Sequence, residues 1–359
     1  MNRIHAGTSD VSPYKYSRGL SAQADKIIPT SLPESARGLI AASLSHSSWC
    51  KNASARNSFK NFELETSTQY TWPLSENAII RFTDWCLNKK KLRFSTVNSY
   101  LGSLEFAHKL NGLDGKNCKH FLAKKMIRGA ENMDFYSTIA KQSRKVMTLP
   151  LLKILSHQIA NSNWEDLSKQ VFWTAASLAF FGSFRMGELL SGKDSVSHPS
   201  ENLLWEDVHI RNDSVVIKIK IPKNRNSKGQ FVDLFEFKDS RYCPVLAVKK
   251  LKLMLGRKDV SKMPVFSFSS GILLTPMAFN KSLVALLQPV IGEAASSISG
   301  HSFRAAIPSA LASCPELASD EEVMIWGRWS SPCFKSYMRL SPLQKKRIFE
   351  KIVSSLYIV

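Results

Sequence analysis

A single change of hydrophobic period constrains this chain more than any other feature. Apolar residues recur at helical spacing from Leu32 onward, and only between Val208 and Phe235 do they alternate with period two. Side chains three or four apart share a helix face, whereas alternate residues share a strand face. The chain therefore reads as mainly α with a small β-sheet, an α+β fold, and shows no internal repeat.

In the first third, Pro33 suits a first helical turn, followed by Leu39, Ile40 and Leu44. Ser75 reads as the N-cap of a helix carrying Ile79, Ile80, Phe82 and Trp85, and Ser95 or Thr96 opens another with Val97, Tyr100, Leu101, Leu104 and Phe106. A further helix near Cys118 to Arg128 sets Lys119, Lys124, Lys125 and Arg128 beside Phe121, Leu122 and Met126. This region is a small helical bundle with basic faces.

Farther on, Leu149 to Ile159 and Leu167 to Phe181 read as helices, the second apolar nearly all round and hence buried. Val208 and Ile210, then Val215, Ile217, Ile219 and Ile221, predict strands, and Gln230 to Phe235 predicts the returning one. The tip between them, Lys223 to Gly229, is basic. Helices resume over 244–255, 276–291, 301–312 and 320–326.

A chain of 359 residues closes two hydrophobic cores more naturally than one. Residues 1–31 mix Ser, Thr, Pro, Lys and Arg without a period and read as a flexible N-terminal arm. The helical domain spans 32–140 and the second domain 146–341. Between about Glu131 and Lys145 the apolar period lapses while Lys141, Arg144 and Lys145 accumulate, which marks a basic linker able to run along phosphates. Pro342 begins a tail helix over 342–359 in which Ile348, Phe349, Ile352, Val353 and Leu356 face away from Lys345, Lys346, Arg347 and Lys351. That stripe packs either within the chain or on a neighbouring copy.

Lys and Arg outnumber Asp and Glu by 49 to 29, a formal charge of +20, yet 44% of residues are hydrophobic. A folded chain with that excess points to a polyanionic partner, because neutralising phosphates releases condensed counterions. Nucleic acid fits best, and an acidic membrane or acidic protein is the alternative. The six cysteines (Cys50, Cys86, Cys118, Cys243, Cys314 and Cys333) form no C-x-x-C pair and no Cys/His metal spacing. Reduced thiols, no metal and no cofactor are expected. The opening MNRIHAGTSD has no apolar signal core, and the stretch Phe172 to Phe184 is too short and interrupted to cross a bilayer. Neither secretion nor a membrane partner is expected; the compartment is cytoplasmic for a bacterial or phage chain and nuclear for a eukaryotic one.

Four segments hold the chemically distinctive residues in one order: FFGSFRMGELL (180–190), IPKNRNSKG (221–229), GHSFRAA (300–306) and WGRWSSPCFKSYMRL (326–340). They present an Arg after a Gly-containing turn with an acid three residues on, a Lys on a hairpin, a His-x-x-Arg opening a helix, then a Trp and a Tyr. This succession resembles the catalytic domain of the tyrosine recombinase and phage-integrase family, and the basic helical segment 32–140 is similar to that family's core-binding domain. The GRW-x7-Y segment is similar to phage-like and Crypton-type mobile-element recombinases. The spacing from Trp329 to Tyr337 is one residue shorter than in many bacterial members, and Ala305-Ala306 stands where those often carry His-Thr.

The resemblance implies catalytic roles for Tyr337, Arg185, Lys223, His301, Arg304 and Trp329, with Glu188 orienting the site. In-line attack on an anionic phosphodiester adds charge to its non-bridging oxygens, and Arg185 and Arg304 are suited to receive that charge by bidentate hydrogen bonds. Tyr337 would attack phosphorus to form a 3′-phosphotyrosyl link and release a 5′-hydroxyl. Its phenol has an unperturbed pKa of about 10, so it needs a base or cationic surroundings. His301 is the implied base or proton relay, Lys223 the general acid on the leaving 5′ oxygen, and Trp329 an indole donor or packing group. Strand register cannot be read from sequence, so the hairpin lysine stays open among Lys220, Lys223 and Lys228.

The implied function is site-specific recombination of double-stranded DNA through a Holliday junction, in integration or excision of a mobile element. The implied assembly is a homotetramer on synapsed DNA, with accessory DNA-bending proteins compatible and residues 342–359 packing in trans. Lys119, Lys124, Lys125, Arg128, Lys141, Arg144 and Lys145 are the candidate DNA-binding cations. A telomere resolvase or a type IB topoisomerase would share the chemistry, and a catalytically silent DNA-binding or architectural protein would share the fold.

Overall fold

The computed structural model describes residues 22–137, 145–190, 202–220, 230–237, 241–256, 259–312 and 318–329. Residues 1–21, the hairpin tip with Lys223 and Lys228, Lys141, Arg144, Tyr337 and the tail 342–359 lie outside the described residues. The chain divides into two compact units, 1–141 and 142–359. As expected, it is mainly helical with one small sheet.

The first unit contains α1 (Ala22–Asp25), α2 (Glu34–Ala42), α3 (His46–Glu65), α4 (Glu76–Asp84), α5 (Phe94–Leu110) and α6 (Phe121–Ser137). A π-helical turn, Trp85–Lys89, extends α4, and a 3₁₀ turn, Lys116–Lys119, precedes α6. Ser75 caps α4 as expected, its Oγ accepting from the Ala78 N–H at 3.2 Å. Helix α5 starts at Phe94, ahead of the expected Ser95 or Thr96.

Three features depart from the sequence reading. Helix α3, 20 residues long, carries no clear apolar period because its buried face is Trp49, Asn52, Ala53, Ala55, Phe59 and Phe62, where small and polar residues dilute the stripe. Ala24, Ile27 and Ile28, assigned to the flexible arm, are buried with Ala41, Trp49 and Ala53; two isoleucines in so short a stretch leave no period to read. Helix α6 continues past Glu131 to Ser137, through the start of the expected linker. An ion pair between Arg128 and Glu131, one turn apart, supports it where no apolar stripe does.

The second unit contains α7 (Leu149–Ala160), α8 (Asp166–Phe181), α9 (Met186–Leu189), β1 (Val208–Ile210), β2 (Ser214–Ile219), β3 (Gln230–Phe235), α10 (Pro244–Leu255), α11 (Pro276–Ile291), α12 (Gly300–Arg304), α13 (Ala306–Ala312) and α14 (Asp320–Gly327). The strands form an antiparallel sheet in the order β1-β2-β3, with Ile217 paired to Val208 on one side and to Val232 on the other. Helix α8 is buried at every position from Gln170 to Phe180, as its unbroken apolar run predicts. Its polar residues are satisfied within the core: Gln170 and Thr174 donate to the Ala247 carbonyl at 3.0 and 3.2 Å, and Ser177 to that of Tyr242 at 3.3 Å. Thr148 and Ser319 cap α7 and α14.

The single helix expected over 301–312 is two, broken at Ala305. Pro308 has no N–H to return to the Arg304 carbonyl four residues back, and its ring crowds that carbonyl, so the helix restarts after Arg304.

Candidate active site

The site begins where α8 ends. Gly182 is the C-cap of α8, and a Cβ there would collide with the Phe184 ring, so the turn closes this tightly only on glycine. Ser183 takes a left-handed conformation at φ +48°, and Arg185 then leads into α9 in an extended conformation. Glu188, three residues on, folds back: one carboxylate oxygen, Oε2, accepts the Arg185 backbone N–H at 2.9 Å, and Oε1 accepts Arg185 Nη1 at 2.6 Å. The Glu188 side chain is 3% exposed, whereas that of Arg185 is 33% exposed.

Two arginines from distant segments converge on this turn. Arg304, at the end of α12 and 2% exposed, donates from Nη1 to the Ser183 carbonyl at 2.7 Å and from Nη2 to the Gly327 carbonyl at 2.6 Å. Arg328, at the C-cap of α14 with φ +52°, donates from Nη1 to the Gly182 carbonyl at 2.7 Å. Its Nη2 reaches the Ser183 carbonyl at 3.1 Å and Glu188 Oε2 at 2.8 Å. Burial pulls the Arg328 guanidinium below its ordinary pKa, and the Glu188 charge opposes that shift. The half-buried Trp329 ring centroid lies 5.5 Å from the Arg304 guanidinium carbon. His301 is exposed on α12, one turn before Arg304.

The structure thus gathers Arg185, Glu188, Arg304 and Trp329 around one turn, with His301 on the helix that delivers Arg304. Arg328, which the sequence reading passed over, joins them. Its sequence signal is its place in the GRW segment, directly after the glycine that ends a helix, and nothing local marks its partners. Lys220 is held elsewhere, by Asp207 at 2.7 Å and Glu206 at 3.7 Å.

In the first unit, Lys119, Lys124, Lys125 and Arg128 are exposed. Lys119 shares Glu105 with Lys109, at 2.8 and 2.7 Å, and Lys109 followed by Lys119 holds that carboxyl below its usual range. Lys125 lies 5.2 Å from the exposed Phe121 ring centroid. Lys145, also exposed, ties its backbone N–H to the Ser297 carbonyl at 3.1 Å, and Met147 does the same to Ser302 at 3.0 Å.

No protein-family model matches the sequence. Nor does any curated protein sequence. Solved structures do. The Tn1549 transposon integrase in complex with transposon right-end DNA superposes with a TM-score of 0.58 at 12% identity, over 86% of this chain and 95% of that one. The XerH site-specific recombinase bound to palindromic difH substrate, in a post-cleavage complex, superposes with a TM-score of 0.53 at 14% identity, over 86% of this chain and 80% of that one. At these identities the likeness is one of fold, and the chain has the tyrosine recombinase fold.

Proposed function

We propose that the chain is a site-specific DNA recombinase whose nucleophile is Tyr337. The observation that carries this reading is the convergence of Arg185, Glu188, Arg304 and Trp329 on one turn, in the fold of proteins that act on DNA. Guanidinium groups held by hydrogen bonds need no reorganisation when charge develops on a phosphate, so they favour the transition state over the ground state.

In the proposed reaction the Tyr337 oxygen forms a bond to phosphorus as the bond to the 5′ oxygen breaks. The phenol proton passes to His301 or solvent, and the leaving oxygen takes a proton from the hairpin lysine, Lys223 or Lys228, because Lys220 is engaged by Asp207. The 3′-phosphotyrosyl link keeps the phosphodiester energy, so a 5′-hydroxyl from a second duplex can reverse the attack and leave a Holliday junction. A homotetramer on two duplexes, integration or excision of a mobile element, and phosphate contacts from Lys119, Lys124, Lys125, Arg128, Lys141, Arg144 and Lys145 belong to the same reading.

A second reading, a DNA-binding module of this fold without strand cleavage, draws on Arg304, whose Nη1 and Nη2 both already donate to main-chain carbonyls. The deciding experiment incubates wild type and Tyr337→Phe with nicked suicide duplexes from the DNA flanking the gene and looks for an SDS-resistant adduct. An adduct with wild type alone supports the recombinase reading. Specific binding without an adduct supports the silent module. Joining of strands from two different duplexes separates a recombinase from a telomere resolvase or type IB topoisomerase.

A further inference from the structure

We infer that Arg328 is a positioning residue that offsets the Glu188 carboxylate and so leaves a net positive charge at Arg185 for an anionic phosphodiester; the inference rests on the DNA-cleavage reading above. The need for such a residue comes from Glu188. A carboxylate only 3% exposed and bonded to Arg185 at 2.6 Å makes, with Arg185 alone, a neutral pair. A neutral pair orients the guanidinium but offers an approaching phosphate little net field. Arg328 meets the other carboxylate oxygen at 2.8 Å, so two guanidinium charges bond the one carboxylate and leave one positive charge there, beside that of Arg304.

Exposure assigns the roles. The Arg328 side chain is 9% exposed against 33% for Arg185, so the surplus charge is presented through Arg185. Arg328 is also held in place by everything around the turn. It bonds the carbonyls of Gly182 and Ser183, and its guanidinium carbon lies 4.9 Å from the Phe184 ring centroid. Its Nε is buried with no hydrogen-bond partner among the described residues, so the site keeps this charge without fully satisfying it. A side chain kept only to tie α14 to the turn would not require a second charge on Glu188.

The test measures single-turnover adduct formation by the full chain on nicked suicide duplexes, alongside duplex affinity and thermal melting. Arg328→Met is expected to slow adduct formation on the order of 100-fold with little change in duplex affinity. Arg328→Lys, which keeps the charge, is expected to stay within about tenfold of wild type. Adding Glu188→Gln to Arg328→Met is expected to restore at least about tenfold, because the carboxylate that neutralises Arg185 is gone. A purely structural role for Arg328 makes that double variant worse, so a double variant no faster than Arg328→Met overturns the inference. Wild-type rate in Arg328→Met also overturns it. If Arg328→Met melts below the assay temperature, Arg328→Gln, which keeps an N–H donor but no charge, replaces it with the same expectations. An adduct with wild type but no rescue sinks this inference alone, whereas specific binding with no wild-type adduct sinks the DNA-cleavage reading as well.

Discussion

Arg304 Nη1 donates to the Ser183 carbonyl at 2.7 Å, joining residues 121 positions apart in sequence. The same guanidinium holds the Gly327 carbonyl, so one buried side chain ties the turn after α8 to the end of α14. A planar fork spans two carbonyls in different directions, and an ammonium group does not. Arg304→Lys should therefore lose one of the two hydrogen bonds and lower stability by about 1–3 kcal/mol. Thermal melting of wild type and variant checks this, and equal melting temperatures would show that the bridge contributes nothing.

Gly327 lies against the ring of Trp329, and a Cβ there would stand 2.6 Å from Trp329 Cε3 and 2.8 Å from Cζ3. Gly327→Ala must displace the indole from its place beside Arg304. The expected cost is about 1–3 kcal/mol, read from urea unfolding, with slower adduct formation on suicide duplexes. Unchanged values for both would mean that the indole has room to move.

The buried cysteines of the first unit should resist alkylation. Burial pushes the Cys86 and Cys118 thiols up to about 12, so almost no thiolate is present near neutral pH. Cys50 is only half-buried. Iodoacetamide on the native protein at pH 8, followed by peptide mass spectrometry, should label Cys50 before Cys86 or Cys118, and unfolding in urea should remove the difference.

Glu65 joins α3 to the π-helical turn, accepting from Lys90 at 2.5 Å, Lys89 at 3.2 Å and Trp85 Nε1 at 3.1 Å. Lys90 first, then Lys89 and Trp85, hold its carboxyl down to about 2 against an ordinary 4.5. A carboxyl whose folded pKa is depressed contributes stability above its unfolded pKa and loses it as pH falls through the folded one. The difference in melting temperature between wild type and Glu65→Gln should hold steady above about pH 4.5 and shrink toward pH 2. A difference that does not vary with pH would show that the carboxylate charge is not what matters there.

Much of the fold was legible because it is local. The Ser75 cap, the unbroken apolar run of α8 and the β-branched apolar residues of β2 each depend on residues a few positions apart. Helix α3 was not legible, because its buried face is built partly from Ala and Asn, which take their place in the core from what packs on them. The break at Ala305 could have been read from Pro308.

For the candidate site, sequence alone determined which residue types occur and in what order, from Arg185 and Glu188 through His301 and Arg304 to Trp329, because motif spacing is a property of the chain. The structure pairs Arg185 with Glu188, residues three apart at a helix start and so placed to face one another. Only the tertiary structure decided that Arg328 reaches Glu188 across 140 residues and that Arg304 reaches Ser183 across 121. Those partners meet because the packing of the second unit's core brings the ends of α8, α12 and α14 together, and hydrogen bonds between segments so far apart leave no period or spacing in the sequence.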